Sequence, residues 1–171
     1  MRVLLGVTGS IAAYKAAELV RLFAKDGDDV RVVMTPAATK FVSPLTFQTL
    51  SRNPVFVDQF APPVEWRPEH IALSECDVAV VAPATANTLA KMRYGIADNL
   101  LTATLLATRA PIVVAPAMNA GMWAAAATQE NVAALKARGV KFAGPEEGEL
   151  ACGVSGAGRM ADPAAIFALA R

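Results

Sequence analysis

Residues Val3–Lys25 read Val-Leu-Leu-Gly-Val-Thr-Gly-Ser-Ile-Ala-Ala-Tyr-Lys-Ala-Ala-Glu-Leu-Val-Arg-Leu-Phe-Ala-Lys, and the two halves of this stretch carry different periods. Val3–Val7 is an apolar run interrupted only by Gly6, as expected for a central parallel strand covered on both faces. Ile11–Lys25 then follows helical spacing, with Ile11, Leu19, Leu22 and Phe23 on the side expected to be buried. Gly27 fits a helix stop.

The alternation continues along the chain. Val30–Met34 reads as a strand and Ala37–Leu50 as a helix opened by Pro36. Asn53–Pro68 is irregular and proline-bearing, with a short strand near Val55–Val57. Asp77–Ala82 is the clearest strand, followed by helices at Thr85–Tyr94 and Asp98–Thr108. Pro111–Ala115, Met122–Arg138 and Val140–Ala143 give strand, helix and strand. Gly144–Gly158, rich in glycine and acid, reads as a mobile loop, and Asp162-Pro163 opens a closing helix. There is no internal repeat, linker or low-complexity segment, so one α/β domain over 1–171 is expected, its parallel sheet sandwiched by helices.

Bulk composition removes several function classes. A net charge of +1 with scattered basic residues gives no electrostatic footprint for nucleic acid or an acidic membrane surface. The apolar fraction of 54% is high, yet no stretch approaches the roughly 18 apolar residues that span a bilayer. The surplus is read as a deep core plus subunit interfaces. Met1-Arg2 leads directly into the first strand without signal-peptide architecture, so a cytoplasmic location with both Cys76 and Cys152 as thiols is expected.

In parallel sheets ligands collect beyond the carboxyl ends of the strands. The first strand ends in Gly6-Val7-Thr8-Gly9-Ser10-Ile11, where glycines, helix N–H groups and the Ser10 hydroxyl can hold a phosphate or simply make a tight turn. It matches neither the Walker pattern nor the G-x-G-x-x-G fingerprint. Thr35, at the end of the second strand, is neutral where a nicotinamide-cofactor domain usually carries a carboxylate. Thr85-Ala86-Asn87-Thr88 could be helix caps in isolation. Ala117-Met118-Asn119-Ala120-Gly121-Met122-Trp123 sets one amide among apolar residues, as a specific ligand contact requires. His70 is the only histidine and suits proton transfer near neutral pH. Cys152 lies in the glycine-rich stretch, a better place for chemistry than the strand-flanking Cys76. No metal-ligand cluster is expected.

Four segments taken together carry a resemblance: Gly9-Ser10-Ile11-Ala12-Ala13-Tyr14-Lys15, Pro83-Ala84-Thr85-Ala86-Asn87-Thr88, Pro116-Ala117-Met118-Asn119 with Met122-Trp123, and Leu150-Ala151-Cys152-Gly153. In this order, and over nearly the whole chain, they resemble the homo-oligomeric flavin-containing cysteine decarboxylases. Within that family the match is to the branch acting on phosphopantothenoylcysteine in coenzyme A biosynthesis. The resemblance implies a three-layer Rossmann-like (flavodoxin-like) parallel sheet of about six strands with helices on both faces. It implies FMN held at a subunit interface of homotrimers, which can assemble further into dodecamers. It also leaves open fusion to, or association with, a phosphopantothenoylcysteine synthetase.

Residue by residue, the resemblance implies that Gly9, Ser10 and Ile11 bind the flavin phosphate. Thr35, Thr85, Ala86, Asn87, Thr88 and Ala117 complete the flavin site. Asn119 holds the substrate carboxylate, Met122 lines the pocket, and His70 and Cys152 are catalytic. Thr85 stands where serine is commoner in the family, and both supply a hydroxyl.

The implied chemistry explains these residue types. Loss of carboxylate from a cysteinyl group needs an electron sink, which flavin oxidation of the thiol-bearing carbon to a thioaldehyde provides, giving an enethiolate. A neutral Asn119 can orient a carboxylate without stabilising its charged ground state as Lys or Arg would. Cys152 would protonate the enethiolate as it is reduced, and a relative without that cysteine would stop at the enethiol. Alternatives are an FMN-dependent peptidyl-cysteine decarboxylase, a flavin prenyltransferase and a non-catalytic regulatory homologue.

Overall fold

The protein is described by a computed structural model covering every residue except 63–65, 150–152 and 154. Among the described residues, strands β1 (Arg2–Val7), β2 (Asp29–Met34), β3 (Val55–Phe56), β4 (Val78–Ala84), β5 (Ile112–Pro116) and β6 (Lys141–Phe142) form one sheet in the order β3-β2-β1-β4-β5-β6. All five pairings are parallel. From β1 the chain builds toward one edge, and from β4 toward the other. The strand order therefore reverses between β1 and β4, where such sheets open a crevice.

Both faces are covered, as the continuous apolar strands require. Every residue of Val78–Ala84 is buried. On β1, Val3, Leu5 and Val7 face a layer of α1 (Ala13–Lys25), α2 (Pro44–Ser51) and the closing helix α8 (Pro163–Leu169). Leu4 faces the opposite layer of α3 (Glu69–Ser74), α4 (Ala86–Tyr94), α5 (Leu100–Ala107) and α7 (Ala126–Ala137). Helix α1 seats Leu19, Val20 and Phe23 against the sheet, each fully buried. Burial of such side chains stabilises by about 1.5–3 kcal/mol apiece. Phe167 of α8 meets Phe23 with ring centroids 5.0 Å apart.

Four expectations are corrected, and one helix goes beyond them. The helix expected over Ala37–Leu50 is divided into a 3-10 turn at Ala38–Lys40 and α2, because the Ser43 hydroxyl accepts the Leu45 N–H and Pro44 occupies the first helical position. The Asn53–Pro68 region, with its short strand β3, leads into α3, a helix that no sequence expectation covered. Met122–Arg138 is divided at Ala125, which is extended (φ −59°, ψ 134°), into α6 (Ala120–Ala124) and α7. Gln129 Nε2 secures that joint by donating to the Trp123 carbonyl at 2.6 Å. Within the stretch expected as a mobile loop, the described residues β7 (Glu146–Glu149) and β8 (Ser155–Arg159) pair as an antiparallel ribbon. Ile11, expected in the core, is 56% exposed.

The chain ends meet at the amino edge of the sheet. The Asp28 carboxylate, 2% exposed, accepts from the Met1 ammonium at 2.8 Å and from Arg171 Nη2 at 2.5 Å. The Arg171 guanidinium also lies over the Phe167 ring at 4.6 Å. Among the described residues no helix is long and apolar enough to cross a membrane, and no group of His, Cys, Asp and Glu could hold a metal ion.

Candidate functional site

The segments singled out at the strand ends come together at the carboxyl edge of the sheet. After β1 the Ser10 N–H donates to the Thr8 carbonyl at 2.8 Å, closing a tight turn, and the Ser10 hydroxyl accepts the Ala12 N–H at 3.4 Å. No acceptor is found among the described residues for the backbone N–H groups of Gly9 and Ile11, so two donors and one hydroxyl remain at the start of α1. Gly9 is required by proximity: a Cβ there would meet the Ala37 Cβ at 2.6 Å. The turn after β1 is thus packed on the turn after β2. In the latter, Thr35 donates its N–H to the Val7 carbonyl at 2.9 Å and its Oγ1 accepts from Ala38 N–H.

Beyond β4, Thr85 caps α4 through Oγ1, which accepts the Thr88 N–H at 3.3 Å and lies 3.1 Å from the Thr88 hydroxyl. Thr88 is buried, whereas the Asn87 side chain is exposed on the first turn of α4. Thr8, which the sequence reading passed over, crosses between the two turns. Its hydroxyl donates to the Pro83 carbonyl at 2.7 Å and accepts the Thr85 N–H at 3.1 Å. Only the partner 75 residues away reveals that role.

Beyond β5, the Ala117 N–H donates to the Ala84 carbonyl at 3.1 Å, fastening the third segment to the second. Asn119 Oδ1 accepts the Gly121 N–H at 2.8 Å and caps α6. With the amide oxygen committed to the cap, the other end of the side chain is its donor end. Met122 on α6 is 51% exposed. The Met118 N–H donates to the Gly158 carbonyl at 3.0 Å, which sets the ribbon beside this loop.

At the base of the ribbon, Glu146 accepts from the Asp162 N–H and from Arg159 Nη2, each at 3.1 Å. The Asp162 N–H and then the Arg159 guanidinium hold the Glu146 carboxyl below the usual glutamate range. Lys15 Nζ reaches the Met160 carbonyl at 3.4 Å from the α1 side. Cys152 falls in sequence between β7 and β8 but lies outside the described residues.

His70 stands on the first turn of α3. It is half-buried on α3, which packs on α5, and no hydrogen bond joins it to another candidate among the described residues. Its neighbour Glu69 lines a cleft with Arg2, Asp29 and Arg31 around the amino ends of β1 and β2. Gly9–Ile11, Thr35, Thr85–Thr88 and Ala117–Asn119 therefore form one rim held by hydrogen bonds, none of which, among the described residues, runs to His70.

The Flavoprotein family profile matches residues 1–170. The chain belongs to the Flavoprotein family. Among its relatives are the coenzyme A biosynthesis bifunctional proteins CoaBC of Vibrio vulnificus, 47% identical over 169 residues, and of Escherichia coli K12, 46% identical over 170 residues. These alignments cover 98% and 99% of this flavoprotein chain but 42% of either relative, so the chain spans under half their length. Solved structures with the same fold include a Cys-to-Ser mutant of PPC decarboxylase complexed with pantothenoylaminoethenethiol. It superposes with a TM-score of 0.88 at 34% identity, covering 98% of this chain and 94% of that one. The FMN-dependent cysteine decarboxylase SpaF gives a TM-score of 0.83 at 32% identity, covering 100% and 98%. The three-layer Rossmann-like, flavodoxin-like architecture with a six-stranded parallel sheet is shared with these structures.

Proposed function

We propose that residues 1–171 form one FMN-binding domain that decarboxylates (R)-4'-phosphopantothenoyl-L-cysteine to 4'-phosphopantetheine in coenzyme A biosynthesis. The observation that carries this reading is the continuous rim, in which Thr8 ties the β1 turn to the β4 turn and Ala84 ties the β4 turn to the Asn119 loop. The residues present fit a flavin. Gly9 and Ile11 N–H groups and the Ser10 hydroxyl would hold the phosphate at the start of α1, and the exposed Asn87 amide and the Ala117 backbone would contact the rest of the cofactor. Thr35, Thr85, Ala86 and Thr88 complete the enclosure.

When bound, the flavin supplies reversible two-electron chemistry at the thiol-bearing carbon of the substrate. The chain's own groups bind and move protons. Asn119, its oxygen held by Gly121, donates to the substrate carboxylate without adding positive charge, and Met122 lines the apolar side of the pocket. His70 serves as the base toward the thiol, and Cys152 returns the proton that completes the saturated product. A PPC decarboxylase with Cys replaced by Ser that holds pantothenoylaminoethenethiol is consistent with a cysteine acting late.

The assembly we propose is a homotrimer, able to build dodecamers, with each site between subunits. Ile11, Tyr14, Phe41 and Leu45 on one layer, and Tyr94, Ile96 and Leu106 on the other, are exposed apolar side chains suited to such contacts. A cytoplasmic enzyme joined to, or working beside, phosphopantothenoylcysteine synthetase fits the longer relatives. The test is incubation of the yellow protein with phosphopantothenoylcysteine, following carbon dioxide and 4'-phosphopantetheine. A colourless protein that cannot take up FMN would support a non-catalytic homologue, and turnover of peptidyl cysteine alone would support the peptide decarboxylase.

A further inference from the structure

The parallel ladder between β1 and β4 runs from Val3 opposite Val78 to Gly6 opposite Val81 and then stops. Beyond it the strands part at the switch point, and Pro83 has no N–H with which to continue the pairing. The cross-links past that gap are made by the Thr8 hydroxyl, donating to the Pro83 carbonyl and accepting from the Thr85 N–H. Thr8 is 1% exposed, so both bonds are shielded from water. Its own carbonyl accepts the Ser10 N–H, and Thr85 in turn caps α4. One buried hydroxyl thus joins the Gly9–Ile11 turn to the Thr85–Thr88 turn, two segments reaching a common ligand from different strands.

We propose that Thr8 is a positioning residue for the flavin: it sets the spacing between the turn that takes the phosphate and the segment that contacts the rest of the cofactor. This rests on the flavin reading above. Thr8 touches no reacting atom and acts through Ser10 and Thr85.

The experiment titrates flavin-freed protein with FMN, following flavin fluorescence, beside thermal melts of each variant. Thr8→Val keeps the shape but leaves the Thr85 N–H and Pro83 carbonyl unpaired, and is expected to weaken FMN binding about tenfold or more. Thr8→Ser restores the hydroxyl and should bind within about twofold of wild type. Thr104→Val is the control, since Thr104 is equally buried and its hydroxyl donates to the Leu100 carbonyl at 2.7 Å on α5. It should lower the melting temperature without changing FMN affinity. Should Thr8→Val not fold, Thr8→Cys, a weak hydrogen-bonding group of similar size, carries the same expectation. Wild-type affinity in the Thr8 variant, or an equal loss in Thr104→Val, would overturn the proposal. Wild-type protein that fails to bind FMN would instead overturn the flavin reading itself.

Discussion

Gly158 and Met118 are in such close contact that no side chain fits between them. The Met118 N–H donates to the Gly158 carbonyl at 3.0 Å, and a Cβ on Gly158 (φ 154°) would overlap the Met118 carbonyl oxygen. This contact couples the ribbon to the loop bearing Asn119, and it makes Gly158 irreplaceable in a way that Gly139 is not.

Gly158→Ala should therefore destabilise beyond backbone strain. Gly139 has a positive φ of 87° but nothing within 4 Å of a Cβ, so Gly139→Ala carries strain alone, about 1–2 kcal/mol. Gly158→Ala adds overpacking of about 1–3 kcal/mol. Urea unfolding of both variants decides the matter, and equal losses would refute the packing argument.

At Asn119, capping and substrate binding should separate. Asn119→Asp keeps an oxygen for the Gly121 N–H and should melt close to wild type. It would nevertheless repel a substrate carboxylate and raise KM steeply. Asn119→Ala should lose about 1 kcal/mol of stability as well as activity. Normal KM in the Asp variant would remove Asn119 from the site.

The Glu146 contacts predict an acid-labile contribution to stability. The folded-state pKa is lowered, so this contribution is complete above the ordinary glutamate value of 4.5 and is lost as pH falls through the lower folded value. Denaturation midpoints of wild type and Glu146→Gln should differ near neutral pH and converge in acid. A gap that widens on acidification would contradict the sign.

Asp28 should matter more than a surface ion pair, because its carboxylate is buried while receiving two cationic donors. Asp28→Ala is expected to cost about 1.5–3 kcal/mol, the range for hydrogen bonds to charged groups. The exposed Arg31–Asp29 pair offers the comparison: Arg31→Ala should change stability by less than about 1 kcal/mol. Matching thermal shifts in the two variants would count against a special role for Asp28.

Much of the sheet was legible because buried parallel strands are written as apolar runs, Val3–Val7 and Asp77–Ala82 above all, and the carboxyl-edge rule then named most of the rim. What escaped had other causes. The ribbon carries Glu146, Glu147 and Gly148 without a core-facing alternation, so nothing periodic marks its strands. The break at Ala125 lies within alanines that favour helix, and it depends on the Asn119 cap and the Gln129 side chain. Ser43-Pro44 was a readable helix start that apolar spacing masked. Thr8 was invisible because its meaning lies in a contact with residues far along the chain. His70 and Cys152 drew notice through their chemistry and the family resemblance, and only the first has a described position, on α3.

The Asp28 clamp has one more consequence, for engineering. By gathering Met1 and Arg171 at the amino ends of the strands, it puts both attachment points at the opposite pole from the rim at their carboxyl ends. A fluorescent tag or affinity handle joined at either point would trail away from the rim. Residues 1 and 171, both bound to Asp28, are near enough for a short linker to join them on the side of the sheet away from the rim.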